Sequence, residues 1–316
     1  MDNDNLSLNG LWIPLITPLR EGRVDVDALQ LLATSYRDAG IAGVVMFGST
    51  GEGNLLSMPE KFLACEAVRD AIPHLPLLIG VGGVETLRVC QSIRKLERLH
   101  PDGWLVPPPY YLRPAADGIL WHYQQVASAS DRPIVIYNVP KRTGVAMSIE
   151  LMEFLCDHTS CVAVKECDPE LLADINTRGK LVSLCGEDLA FLDHFEQQGA
   201  GAISAAAHIR PDAFVAVMNL AKAGRTDAAH YLFETLKPVI HLLFAESSPA
   251  PIKKVLSADN IIANELRLPM TPASDMLGKR LSNAIARIPT KAEVRQIVLD
   301  ASSTFSDRES VSVGGR

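Results

Sequence analysis

Lys165 closes the apolar run Val162-Ala163-Val164-Lys165, and Tyr137 closes Ile134-Val135-Ile136-Tyr137. A lysine that ends a buried strand either snorkels to solvent, or pairs with a neighbour such as Glu166 or Asp168, or stays desolvated. In the last case burial disfavours the ammonium, and the neutral amine can form a Schiff base with a ketone. Both residues hold the fourth position of their runs, and adjacent strands lie about 4.8 Å apart. Similar height on adjacent strands would set a phenol beside the amine as a proton carrier; the plainer reading is a core tyrosine. The turn Gly48-Ser49-Thr50-Gly51-Glu52 brackets two hydroxyls with two glycines. Such a turn lets backbone N–H groups approach a carboxylate, although many ordinary turns look alike. Asn138-Val139-Pro140-Lys141-Arg142-Thr143-Gly144 follows Tyr137 directly, and Arg142 is either a surface cation or a bidentate carboxylate clamp. Pro107-Pro108-Pro109-Tyr110-Tyr111 is stiff and holds two aromatic rings.

Other chemistries fit less well. Gly80-Val81-Gly82-Gly83 lacks the spacing of a dinucleotide loop. Cys185-Gly186-Glu187 and Ala205-Ala206-Ala207 are poor phosphate cradles, which argues against a phospho-sugar isomerase. The eight histidines are scattered without an H-x-x-x-H pair, so no metal centre is expected.

These residues must be held by a frame, and the chain alternates apolar runs with amphipathic stretches. The runs are Trp12–Thr17, Val44–Phe47, Leu77–Val81, Trp104–Val106, Ile134–Tyr137, Val162–Lys165, Leu181–Leu184 and Ala202–Ser204. They recur about every 27 residues, the length of a strand, a loop and a helix. Their unbroken apolar character suits parallel strands covered on both faces. Ser57-Met58-Pro59-Glu60 reads as a helix capping box. Eight β/α units favour an α/β fold of the closed (β/α)8 TIM-barrel type over residues 8–223. Residues 224–300 read as a C-terminal helical extension, with helices over 226–244, 251–257, 275–286 and near 292–299, and residues 301–316 as a disordered tail. Reactive groups then belong at the C-terminal ends of the strands.

Of the 316 residues, 47% are hydrophobic and 21% charged, which excludes a mainly disordered chain. The net charge of −7 gives no electrostatic case for nucleic acid or an anionic membrane. No apolar run approaches the roughly 18 residues of a spanning helix, and Met1–Asn5 do not read as a signal peptide. The six cysteines form no C-x-x-C pair, which suits reduced thiols and a cytoplasmic protein.

At Gly48–Glu52, Pro109–Pro114, Tyr137–Gly144, Lys165-Glu166 and Leu266-Arg267-Leu268-Pro269-Met270-Thr271-Pro272 the sequence resembles the dihydrodipicolinate synthase / N-acetylneuraminate lyase family of pyruvate-dependent class I aldolases. The resemblance runs from about residue 10 to residue 289, in family order and spacing. It implies the barrel, a homotetramer built from tight dimers, and no cofactor beyond an imine of pyruvate on Lys165. By the same resemblance Tyr137 moves protons, Ser49 relays them, and Tyr111 joins the relay from a neighbouring subunit. The Ser49 and Thr50 loop holds the pyruvate carboxylate, Gly48, Gly186 and Ile203 lie at the substrate, and Arg142 binds the carboxylate of aspartate semialdehyde. The partner is thus pyruvate with a small aldehyde or 2-keto acid. Pro109–Pro114 and Arg142 favour the synthase branch, which makes 4-hydroxy-tetrahydrodipicolinate for lysine and diaminopimelate. Ser49, where the synthases carry threonine, and His208, where they carry asparagine, leave open an aldolase or dehydratase acting on a sugar acid. Positions that bind feedback lysine in regulated members carry Met58, Lys61, Val84 and Arg88, which argues against lysine inhibition.

Overall fold

The structure is a computed structural model that describes the fold of residues 6–311 and the side chains of residues 6–303. Eight parallel strands close into a barrel, each paired with its neighbours in sequence and the last with the first. They are β1 (Gly10–Pro14), β2 (Gly43–Met46), β3 (Leu77–Gly80), β4 (Gly103–Val106), β5 (Ile134–Asn138), β6 (Cys161–Glu166), β7 (Ser183–Cys185) and β8 (Gly201–Ile203). All eight anticipated runs are strands, with ends displaced by up to three residues. Helices α1 (Val26–Asp38), α2 (Met58–Ala71), α3 (Thr86–Leu96), α4 (Ala116–Ala127), α5 (Ile149–His158), α6 (Pro169–Arg178), α7 (Phe191–Glu196) and α8 (Pro211–Lys222) follow the strands in turn. The capping box forms: the Ser57 backbone N–H donates to the Glu60 carboxylate, and the Ser57 side chain accepts from the Glu60 backbone.

Side-chain alternation divides the core in two. Trp12, Val45, Leu78, Leu105, Val135, Ala163, Leu184 and Ile203, one from each strand, fill the barrel interior together with Leu8. The residues between them face the helices and join the larger outer core. This two-sided burial is why the strands read as apolar throughout. Trp12 occupies the space beside Gly43, where a Cβ would lie 2.2 Å from its ring.

Four further helices follow: α9 (Thr226–Leu243), α10 (Ala250–Ala258), α11 (Asp275–Ile285) and α12 (Lys291–Val311). Helix α9 packs on α8 and α11, and α12 packs on α8, so the extension buries its apolar face on the barrel. Helix α12 runs to Val311, and the Ser302 and Ser303 hydroxyls bond back to the carbonyls of Val298 and Asp300. Residues 312–316, like the N-terminal stretch at residues 1–5, lie outside the described residues. A short hairpin, Leu19–Arg20 with Arg23–Val24, was not anticipated. Its turn residues Glu21 and Gly22 both have positive φ, as a tight hairpin requires. Among the described residues no helix is long and apolar enough to cross a membrane.

His208 ties the segment after β8 to the segment after β1 at the barrel mouth. Its Nε2 accepts the Ile16 backbone N–H at 3.2 Å, and its Nδ1 faces the Ala205 carbonyl at 2.8 Å. Nδ1 therefore carries the proton of the neutral ring. Protonating Nε2 would set two donors against each other, and burial already lowers this pKa to about 4 from 6.5. Between these two values the unfolded chain binds a proton here and the folded chain does not, so stability falls as pH drops through that window. We expect denaturant unfolding to show a loss of about 3 kcal/mol from this group across the window. His122 and His194, also lowered to about 4 by burial, add to the slope in the same direction. His208→Asn should flatten the pH dependence; an unchanged slope would contradict the assignment.

Candidate active site

The interior face continues above the apolar layer. Two residues beyond Val135 and Ala163 stand Tyr137 and Lys165, which therefore point into the barrel mouth. The two are direct register partners, so barrel shear does not offset them. Lys165 is only 6% exposed, and its Nζ sits 4.3 Å from the centre of the Tyr137 ring. Burial lowers the Lys165 pKa; the nearby Asp188 carboxylate opposes that shift, and Arg142 adds to it. Burial raises the Tyr137 pKa, while a hydrogen bond with the Ser49 side chain and the charge of Arg142 pull it down. The strand ends thus hold a phenol that stays protonated beside an amine that gives up its proton more readily than a free lysine.

Around the lysine stem the packing is close. A Cβ on Gly186 would lie 2.6 Å from Cys167 Sγ and 2.9 Å from Lys165 Cε. The Cys167 thiol donates to the Gly186 carbonyl at 3.4 Å, and burial pushes its pKa up to about 12, so it remains a neutral thiol. Asp188 is buried in the same loop, with Ser204 and the Ala206 N–H both donating to its Oδ1. Burial raises its pKa to about 6 despite these bonds.

On the opposite face of the same strand ends, Asn138 Nδ2 donates to Glu166 Oε2 at 2.7 Å. The other Glu166 oxygen accepts the backbone N–H groups of Cys167 and Asp168, both at 2.8 Å. Asn138 Oδ1 takes the Met147 N–H at 3.2 Å. These outward-facing residues hold the loops that follow Tyr137 and Lys165.

Gly48–Gly53 forms a compact turn after β2. Gly48 O accepts the N–H groups of Gly51 and Gly53, and Ser49 O accepts that of Glu52. The N–H groups of Ser49 and Thr50 stay outside this network. Thr17 Oγ1 donates to Gly51 O at 2.8 Å. A Cβ on Gly53 would meet Phe47 O at 1.9 Å, and one on Gly80 would meet Gly48 N at 2.8 Å. Phe47 and Glu52 at the turn's ends are both held at positive φ.

A cavity of about 230 Å³ lies over this layer, lined among others by Gly48, Ser49, Tyr110, Tyr137 and Arg142. Arg142 sits on a helical turn, Pro140–Thr143, and also borders a second cavity of about 290 Å³. Ser49 and Asn54 border both, while Ser247, Ser248, Pro249 and Met270 close the far side of the second.

The structure thus gathers Lys165, Tyr137, Ser49, Gly48 and Arg142 at one mouth. Gly186 lies against the lysine stem. Thr50 is buried behind the turn, and Ile203 belongs to the apolar layer beneath. Tyr111 does not join the mouth of its own chain: it is 86% exposed, at positive φ, with its N–H on the Thr143 carbonyl. Tyr110 faces the cavity instead, and its hydroxyl accepts from Asn54 Nδ2 at 3.2 Å. Val84 and Arg88 border a separate surface hollow, where Arg88 pairs with Glu85 at 2.6 Å. Sequence reasoning missed Asp188, Cys167 and the Asn138–Glu166 pair. The available signal for the pair was its position, one residue after Tyr137 and Lys165. For Gly186→Ala we expect at least a tenfold slower reaction of the lysine with ketones, because the methyl group displaces Lys165 Cε. Reactivity like that of the parent, measured by reductive trapping, would show that the stem has room to spare.

Comparison with known proteins agrees with this geometry. The model of the dihydrodipicolinate synthetase family matches residues 7–288. The chain is 33% identical over 290 residues to 4-hydroxy-tetrahydrodipicolinate synthase 2 of Clostridium acetobutylicum, covering 88% of this chain and 99% of that protein. It is 30% identical over 292 residues to a 4-hydroxy-tetrahydrodipicolinate synthase of Rickettsia bellii, covering 91% and 99%. The solved structure of the Methylacidiphilum fumariolicum SolV synthase superposes with a TM-score of 0.87 at 27% identity, covering 92% and 99%. That of the Aquifex aeolicus dihydrodipicolinate synthase gives 0.84 at 29%, covering 90% and 99%. On these matches, and on a site set at the C-terminal ends of a closed eight-stranded barrel, the chain belongs to the dihydrodipicolinate synthetase family of lyases.

Proposed function

We propose that this chain condenses pyruvate with aspartate semialdehyde, as a 4-hydroxy-tetrahydrodipicolinate synthase. The observation that carries the reading is the buried Lys165 amine lying over Tyr137, beside a turn with two backbone N–H groups outside its own network. The neutral amine attacks C2 of pyruvate, and the carbinolamine loses water to give an iminium ion on Nζ. Tyr137, in contact with Ser49, delivers and removes the protons of these steps. The pyruvate carboxylate sits on the Ser49 and Thr50 N–H groups, where their partial charges meet its negative charge. The iminium withdraws electrons, a methyl proton leaves, and the enamine attacks the aldehyde carbon to form the new C–C bond. The chemistry resides on the lysine itself, so the step calls for no cofactor.

Arg142 faces both cavities, which supports a second reactant that carries its own carboxylate. Tyr111 stands exposed on the lip, as a residue lent to another copy would, which supports tight dimers within a homotetramer. The second reading, a pyruvate-dependent aldolase or dehydratase acting on a sugar acid, is favoured by Ser49 and His208, where the synthases carry threonine and asparagine.

Borohydride with pyruvate should trap one covalent adduct on Lys165, located by peptide mass, and Lys165→Arg should abolish it. Aspartate semialdehyde should then discharge the enamine. Arg142→Ala should raise its KM about tenfold or more while leaving the pyruvate concentration for half-maximal trapping unchanged. Release of pyruvate from a sugar acid, with no consumption of aspartate semialdehyde, would replace this reading with the second.

A further inference from the structure

The carboxylate-binding turn is fastened from the far end of the chain. Lys253, on α10, is fully buried, and its Nζ donates to Glu52 Oε1 at 2.5 Å and to the Glu265 carbonyl at 2.9 Å. The other Glu52 oxygen accepts the Arg267 backbone N–H at 2.8 Å. Glu52 itself is buried, at positive φ, and is the last residue before Gly53 closes the turn. The segment that supplies Glu265 and Arg267 is tied down in its own right. Glu265 Oε1 accepts the Gly22 N–H at 2.6 Å, and Arg267 Nη2 donates to Gly22 O at 2.9 Å and to Glu60 Oε1 at 2.7 Å. Glu60 in turn caps α2.

We infer that Glu52 and Lys253 are positioning residues for the pyruvate half-site, through which the C-terminal helices hold the Ser49 and Thr50 N–H groups in their binding geometry. The inference rests on the proposed pyruvate chemistry. A left-handed non-glycine residue is strained, and the strain persists only where surrounding contacts over-determine it. Here those contacts are one buried ion pair and one charge-assisted hydrogen bond, both made to residues of the extension. A buried pair adds little net stability compared with an apolar replacement, but it demands one geometry. Its contribution is therefore expected in the ordering of the turn. Glu52 and Lys253 do not reach the reacting atoms, so they act on binding of the ground state. Disordering the turn makes pyruvate order it again, at the expense of affinity.

The experiment measures the pyruvate dependence of borohydride trapping and of steady-state turnover in Glu52→Gln, Lys253→Met and the double variant, with thermal unfolding in parallel. Lys253→Met strands a buried carboxylate and should lower stability, whereas the double variant removes both charges and should regain most of it. All variants that fold should need about tenfold more pyruvate for half-saturation, with kcat at saturating pyruvate within about threefold of the parent. A restored melting temperature with a KM that stays high marks positioning, which a purely structural pair would not produce. Unchanged half-saturation, or a fall in kcat at constant KM, overturns the inference. Failure of the parent itself to trap pyruvate would instead remove the functional reading. Should no variant fold, amide exchange on the parent decides: pyruvate should protect residues 48–53 and 265–267 together, and protection of the first segment alone counts against the coupling.

Discussion

The whole arrangement depends on removing one amine from water. A lysine at a strand end would ordinarily reach for solvent or for a carboxylate, and Lys165 does neither. Its strand places it two residues above Ala163, in a mouth whose floor is a closed apolar layer with one side chain from each strand. Its immediate neighbours are an aromatic ring, a neutral thiol and a glycine that leaves room for its stem. Burial lowers its pKa, and the Asp188 carboxylate limits how far. That balance suits a group that must be an amine when it attacks and a cation once the imine has formed.

The barrel serves this residue by separating two tasks across one strand. Inward positions of β5 and β6 carry Tyr137 and Lys165. The next positions face outward and carry Asn138 and Glu166, which tie the following loops to the strand ends. Orientation thus comes from hydrogen bonds that the substrate never meets, and the reactive face stays free of competing partners.

Much of this was legible in the residues. Eight apolar runs at a regular interval indicated the barrel, and the shared fourth position of their runs suggested similar height for Lys165 and Tyr137 on neighbouring strands. Gly48 and Ser49 stood out for their glycine-bracketed turn and Arg142 for directly following the Tyr137 strand, and the family resemblance gave them their roles. What could not be read depends on contacts far apart in sequence. The ion pair of Lys253 with Glu52 spans 201 residues, and neither residue stands in a pattern that names the other. Tyr111 was expected at the site of a neighbouring subunit, and in its own chain it is exposed at positive φ. His208 departs from the asparagine of the synthases, but its ring nitrogens are both engaged by backbone, which only the folded packing reveals.

The two cavities at the mouth share Ser49, Asn54 and Arg142 but differ in their remaining walls. The first belongs to barrel loops, while the far wall of the second comes from Ser247–Pro249 and Met270 in the extension. None of these wall residues borders the first cavity. A few extension residues can therefore reshape the second cavity without altering the walls of the first. Diversification of such a scaffold toward new electrophiles follows from where its walls are encoded.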